Sequence, residues 1–355
     1  MPNHSRKLAT IQVIKNIEKL SQADNLSVAE VLGWKVVVKN GEFKVGEKVV
    51  YFEVDSFLPL QDRYEFLRRN SYERNALLGE GYHLKTIRLR RQISQGLLLS
   101  LSAFPEYDLS TYEVGTDITS LLGIKLHVTK SDDIDIPNGF HPVIFKTDEV
   151  RIQSYPEMIE LLKGEPYYIS EKIDGMSITI VKEKDRDVEL YSRNRKIFYD
   201  KNDIVWEYFI QNGIIDIMNK LEGDIAIQGE LYGEKIQGNK MRIKGRQFKY
   251  FNVVNPKDGR VYDFSDAQSI LKSFGLSNIF KSVKILEVAS PFSYTLKELL
   301  DLAKGEYIPG VPREGIVVRP IYENELIKKL RNNGKWFEKR FSFKVINNHY
   351  LLRGK

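Results

Sequence analysis

The chain has 355 residues, 42% of them hydrophobic and 29% charged, which suits two domains that each bury a core and excludes a mostly disordered chain. No apolar run reaches the roughly 20 residues of a membrane-spanning helix, and the absence of cysteine excludes disulfides and thiolate metal sites. The formal charge of +6 favours a polyanionic partner, and the opening Met1-Pro2-Asn3-His4-Ser5-Arg6-Lys7 lacks the apolar core of a secretory signal, so a cytoplasmic or nuclear protein is expected.

Short β-rich runs open the chain. Residues 28–31, 34–38 and 49–54 read as strands, with turns at Asn40-Gly41 and Val45-Gly46. Residues 84–101 add two more around Arg88-Leu89-Arg90-Arg91-Gln92, with Gly96 between them. Five short strands predict an all-β unit over residues 1–128, an OB-like barrel, although a sandwich fits the periodicity nearly as well. Residues 129–142 are polar, acidic and broken by Pro and Gly, and are the expected linker.

From 143 to 355 the pattern becomes α+β with mainly antiparallel sheets. Ser154-Tyr155-Pro156-Glu157 has the form of a capping box before the apolar face Met158, Ile159, Leu161 and Leu162, with Gly164 as the stop. A strand then leads to Lys172, and 177–181 with 188–192 form a hairpin. A helix over 204–221 has a weak point at Gly213. Strands follow at 225–231, 248–254, 314–319 and 341–346, and helices at 265–274 and 295–302, the second opened by a capping box of Thr295 and Glu298.

Lys172 stands at a strand end between Glu171 and Asp174, closed off by Gly175. A lysine amine attacks phosphorus only when neutral, so its pKa must be pulled down by burial or by positive charge, for which Arg193 and Lys344 are candidates. The plain alternative is an exposed lysine paired with Glu171 or Asp174.

Lys172-Ile173-Asp174-Gly175 resembles motif I of the covalent nucleotidyltransferases, the superfamily of polynucleotide ligases and mRNA capping enzymes. The later motifs have counterparts in the family's order: Ser192-Arg193-Asn194, Gly229-Glu230-Leu231, Tyr250-Phe251-Asn252, Glu314-Gly315-Ile316-Val317-Val318-Arg319 and Phe343-Lys344-Val345. The resemblance implies that Lys172 becomes adenylylated and Lys344 contacts the α-phosphate. It further implies that Glu171, Arg193 and Glu230 help bind the nucleotide, that Phe251 stacks on the purine, and that Glu314, Glu230 and Asp174 serve a catalytic Mg²⁺ or Mn²⁺. Many ligases have a second motif V lysine where this chain has Ser342, with Arg340 or Lys339 as possible replacements.

A β-rich unit ahead of the transferase domain, rather than after it, resembles the ATP-dependent RNA ligases with an N-terminal OB domain, RNA ligase family five. In the segment 145–153, which resembles the entry to their catalytic domain, Arg151 is a candidate for the β- and γ-phosphates, or else pairs with Asp148 or Glu149 at the surface. The implied reaction joins RNA 3′-hydroxyl and 5′-phosphate ends, as at a nick in a duplex, by a monomeric ATP-dependent enzyme. Bases interleaved with aromatics over 235–250 and 335–344 suit RNA, and the loop bearing Lys235, Lys240, Arg242, Lys244 and Arg246 is either an RNA-backbone contact or a solvated loop. GTP-dependent capping and a non-catalytic RNA-binding protein are the two alternatives.

Overall fold

The structure, a computed structural model, describes residues 6–20, 24–128, 139–333 and 340–351. The chain divides into two compact units, 1–134 and 135–354; the linker expected over 129–142 lies mostly outside the described residues. Among the described residues no helix is long and apolar enough to cross a membrane.

The first unit is built from short antiparallel strands. Lys48–Phe52 lies between Ala9–Val13 and Leu97–Ser100, and Gly79–His83 lies between Tyr72–Asn75 and Ser56–Pro59, with Lys125–Leu126 on the outer edge. Leu26–Val31 and Trp34–Lys39 form a hairpin whose two turn residues, Leu32 and Gly33, both have positive φ, the conformation that matches strand twist in a tight hairpin. Two apolar clusters fill the interior, with Trp34, Tyr51, Phe52, Tyr64, Tyr82 and Phe104 fully buried. Residues 84–101 hold three strands rather than the expected two, because Arg90 and Arg91 adopt positive φ and fold Ile87–Leu89 back on Gln92–Ser94. Gly96 is required where it stands: its φ is +98° and a Cβ there would lie 2.3 Å from the Phe52 carbonyl oxygen.

The second unit carries two five-stranded sheets. One runs Val150–Arg151, Phe343–Ile346, Gly315–Pro320, Tyr167–Lys172, Ile285–Ala289, antiparallel except for its first pair. Its outer face packs Tyr167, Ile169, Ile316, Val318, Phe343 and Val345 into a core with the helices Glu157–Leu162, Leu296–Leu302 and Glu323–Asn332. Strand alternation therefore turns Ser170, Lys172, Val317, Arg319 and Lys344 to the other face. The second sheet, Lys196–Ile197, Glu189–Tyr191, Met176–Lys182, Ile225–Gly233, Arg246–Val254, is antiparallel throughout.

Three local expectations are corrected. Ser154 ends a 3-10 turn and the helix after it starts on Pro156 without a side-chain cap, so no capping box forms. The helix expected over 204–221 is two helices, Ile204–Gln211 and Ile214–Asn219, parted at Gly213 with φ +67°. The last strand starts at Phe343. The capping box of Thr295 and Glu298 is present.

Candidate active site

Lys172 ends its strand opposite Gly315, so register alone sets it beside Glu314. Its Nζ lies 2.8 Å from Glu314 Oε2, although 142 residues separate the two in sequence. Tyr307, on the hairpin of Glu306–Ile308 and Val311–Pro312, fastens this corner. Its hydroxyl donates to the Lys172 carbonyl at 2.5 Å and accepts from the backbone N–H of Asp174 at 3.2 Å and of Glu314 at 3.0 Å. Gly175 lets the facing strand come close, since a Cβ there would lie 2.5 Å from the Leu231 carbonyl oxygen and 2.9 Å from Glu230 Cγ.

Charge around the amine departs from expectation. Burial pushes Lys172 down, but Glu314, Glu230 and Glu149 outweigh it and the net shift is upward, so the amine is held protonated. The reason is the surplus of carboxylates, while Arg193 and Lys344 are neutralised elsewhere. Burial together with the like charges of Glu314, Glu149 and Asp174 pushes the Glu230 carboxyl up to about 8, against the opposing pull of Lys172. Asp174 is engaged by the Tyr350 hydroxyl and by Lys240 Nζ at 3.3 Å, and Asp174, Glu230 and Glu314 do not converge as a ready-made three-ligand cluster among the described residues.

Arg193 and Lys344 meet on one carboxylate, that of Asp148, at 2.9 and 3.0 Å. The segment bearing Asp148 crosses the second sheet, where Gln228 Nε2 donates to the Phe145 carbonyl at 2.8 Å and the Thr147 and Ser177 hydroxyls bond. Glu149, its side chain 11% exposed, lies between Arg319 at 2.7 Å and Arg340 at 3.2 Å. Burial opposes its ionisation, but the two guanidinium groups prevail and hold its carboxyl at about 2. Arg319 in turn lies 5.7 Å from the Phe251 ring centre. Arg340 is thus committed to Glu149 rather than standing in for Ser342, and Lys339 lies outside the described residues. Arg151 sits in register with Lys344 on the edge strand.

Glu171 is buried on the strand face opposite Lys172, and burial raises its carboxyl against the pull of Lys284, Arg313 and Lys249. Its backbone N–H bonds to the Lys284 carbonyl, next to Val283, a member of the apolar cluster against which Phe251 packs. Of the basic loop, Lys240 holds Asp174 and Arg246 holds Glu207 at 2.6 Å. Sequence reasoning missed Asp148, Glu149 and Tyr307 as parts of the site. The sequence suggests the two acids only as partners for Arg151, and nothing in the residues around Tyr307 marks it.

The model of the RNA ligase family matches residues 165–346. An OB-fold domain model matches residues 8–101. The chain belongs to the RNA ligase family. No curated protein matches the ligase, but solved structures do over nearly its whole length. It is similar to Naegleria gruberi RNA ligase in a lysine mutant with AMP and Mn, at 31% identity and TM-score 0.73, over 98% of this chain and 99% of that one. A glutamate mutant of the Naegleria gruberi enzyme with ATP and Mn matches at 32% identity and TM-score 0.72, again over 98% and 99%. The same enzyme with PPi matches at 32% identity and TM-score 0.71, over 98% of each chain. The ligase therefore has an N-terminal OB-fold domain followed by a ligase domain of mainly antiparallel sheets.

Proposed function

We propose that this ligase uses ATP to adenylylate Lys172, passes AMP to an RNA 5′-phosphate, and seals that end to a 3′-hydroxyl. The observation that carries the reading is the Lys172 amine 2.8 Å from Glu314, with the charge of Glu230 acting on the same amine and Arg193 and Lys344 held together on Asp148. In the first step the amine nitrogen forms a bond to the α-phosphorus, the bond from phosphorus to the bridging oxygen breaks, pyrophosphate leaves, and the nitrogen loses its proton. Lys172 has to shed that proton against its carboxylate surround, and Glu314 is the acceptor it already touches. Lys344 and Arg193, displaced from Asp148, would face the phosphates as fixed positive charge.

The nucleotide fit has its own support. Glu171 Oε1 is buried with no hydrogen-bond partner, an acceptor that an exocyclic amine of adenine would satisfy, and the Phe251 ring, which lines a pocket together with Arg319, would stack on the purine. Complexes of the Naegleria gruberi enzyme with ATP, AMP and Mn support the same choice of nucleotide and ion. Glu314 and Glu230 fit a divalent cation, since burial together with the like charges of Glu314, Glu149 and Asp174 raises Glu230. Such an ion, completing its shell with water and phosphate oxygen, would supply the positive charge that offsets them.

The test is incubation with ATP labelled at the α-phosphate plus Mg²⁺ or Mn²⁺. Label is expected on wild type and absent from Lys172→Ala, with GTP ineffective. Equal labelling of both proteins, or none of wild type, would refute the proposal, and labelling by GTP alone would favour the capping reaction. Nick sealing by a monomer is the expected form of the last step. Faster joining of single strands than of nicked duplexes, or activity only in a larger assembly, would overturn it.

A further inference from the structure

The four-stranded sheet of the OB-fold unit brings together three side chains that the ligation chemistry does not use. Glu73, on Tyr72–Asn75, is in register with Gly81, two residues before His83 on Gly79–His83, so Glu73 and His83 share a face. His127 directly follows the outer strand Lys125–Leu126 and is tied by its backbone N–H to the Asp55 carbonyl at 2.7 Å. The carboxylate of Glu73 addresses both rings, with Oε1 2.8 Å from His127 Nε2 and Oε2 3.4 Å from His83 Nδ1. One donor atom from each of the three residues falls within 4.8 Å of the other two.

We propose that Glu73, His83 and His127 bind a divalent transition-metal ion of the zinc class. The second observation that points to a ligand is His83, which is 8% exposed and whose two ring nitrogens are both buried without a hydrogen-bond partner. An imidazole in that state leaves polar atoms unsatisfied at a cost of about 1–3 kcal/mol each, which coordination of one nitrogen would remove. Two imidazoles and a carboxylate suit zinc, cobalt or nickel, and three protein ligands leave a fourth position for water. Magnesium, which prefers an all-oxygen octahedral shell, is disfavoured.

The geometry also says what must move. The His83 and His127 rings are stacked at 3.5 Å with 3° between their planes. A nitrogen lone pair lies in its ring plane, so two parallel rings cannot both aim at one ion, and one imidazole tilts out of the stack on loading. Asn75 Nδ2, 3.4 Å from His127 Nε2, and Lys85 Nζ, 3.7 Å from Glu73 Oε2, are the polar neighbours that yield. The ion would clamp the end of the unit's last strand onto the hairpin formed by Tyr72–Asn75 and Gly79–His83.

The experiment uses the full chain, stripped with a chelator and titrated with Zn²⁺ while its histidine ring protons are followed by NMR. Of the five histidines, two are expected to shift, complete at one equivalent, and to be those missing from the spectra of His83→Asn and His127→Gln. The same titration with Mg²⁺ should leave them in place. No shift with Zn²⁺, shifts confined to the other histidines, or equal shifts with Mg²⁺ overturn the proposal; this arm reads wild type and survives if a variant fails to fold. Co²⁺ supplies a second readout, a visible absorption band expected in wild type and in Glu314→Gln but lost in Glu73→Gln and His127→Gln. A band that persists in the last two, or that disappears only in Glu314→Gln, assigns the ion to the ligation site and overturns the proposal.

Discussion

Replacing Glu149 by Gln should loosen the sheet that carries Lys172. The Glu149 carboxylate is the shared partner of Arg319 and Arg340, and its carboxyl is held at about 2 against an ordinary 4.5, a difference equivalent to about 3 kcal/mol. Breaking a buried ion pair by removing one partner typically costs about 3–5 kcal/mol, so two routes to the magnitude agree. Hydrogen exchange of the whole protein measures it locally. Amides of Gly315–Pro320 should exchange about 100-fold faster in Glu149→Gln, the equivalent of about 3 kcal/mol, while those of Lys48–Phe52 in the other unit stay unchanged. Because the folded pKa is depressed, the carboxylate's contribution is complete above the unfolded value of about 4.5 and is lost as pH falls through about 2. The ratio of exchange rates, variant over wild type, should therefore narrow about 10-fold between pH 7 and pH 3.5. A ratio under about 5-fold at pH 7, or one that widens in acid, would refute the argument.

Further outcomes follow from the same corner. Tyr307→Phe removes one hydroxyl that serves three backbone groups; a loss of about 2 kcal/mol should slow self-adenylylation roughly 30-fold, and a rate within 2-fold of wild type would contradict the clamp. Gly175→Ala forces a methyl against the Leu231 carbonyl oxygen and should cost about 1–3 kcal/mol, read as a lower melting temperature together with loss of labelling from ATP. Asp148→Ala releases Arg193 and Lys344 from ion pairs worth at most about 1 kcal/mol each. The apparent KM for ATP should fall about 2- to 5-fold, whereas a rise would mean that Asp148 itself serves the nucleotide.

What could be read in advance follows the range of the forces involved. Alternation such as Phe343, Lys344, Val345 reports a half-buried strand within a few residues, and Thr295 with Glu298 is a local cap, so both were legible. The box at Ser154 was equally local, but Pro156 opens the helix two residues later and leaves Ser154 outside it. The helix Glu323–Asn332 went unread although Leu326, Ile327 and Leu330 carried its spacing. Partners set by register were beyond reach. Nothing near Asp148 announces that it will bridge Arg193 and Lys344, and the sign of the Lys172 shift depends on carboxylates gathered from three separate stretches of chain. Glu73, His83 and His127 follow no metal-binding spacing, and only a sheet brings them together.

The pairing of Tyr167–Lys172 with Gly315–Pro320 also acts as a proofreading device for folding. Side chains on a strand alternate, so a slip of one residue would move Glu171 into the place of Lys172, beside Glu314 and Glu230. A cation among carboxylates would become another carboxylate among them, and Ile169 would leave the core in the same movement. The misregistered sheet is thus penalised by repulsion and by lost burial together, and the charges arranged for nucleotidyl transfer also help to select the one alignment in which that transfer can occur.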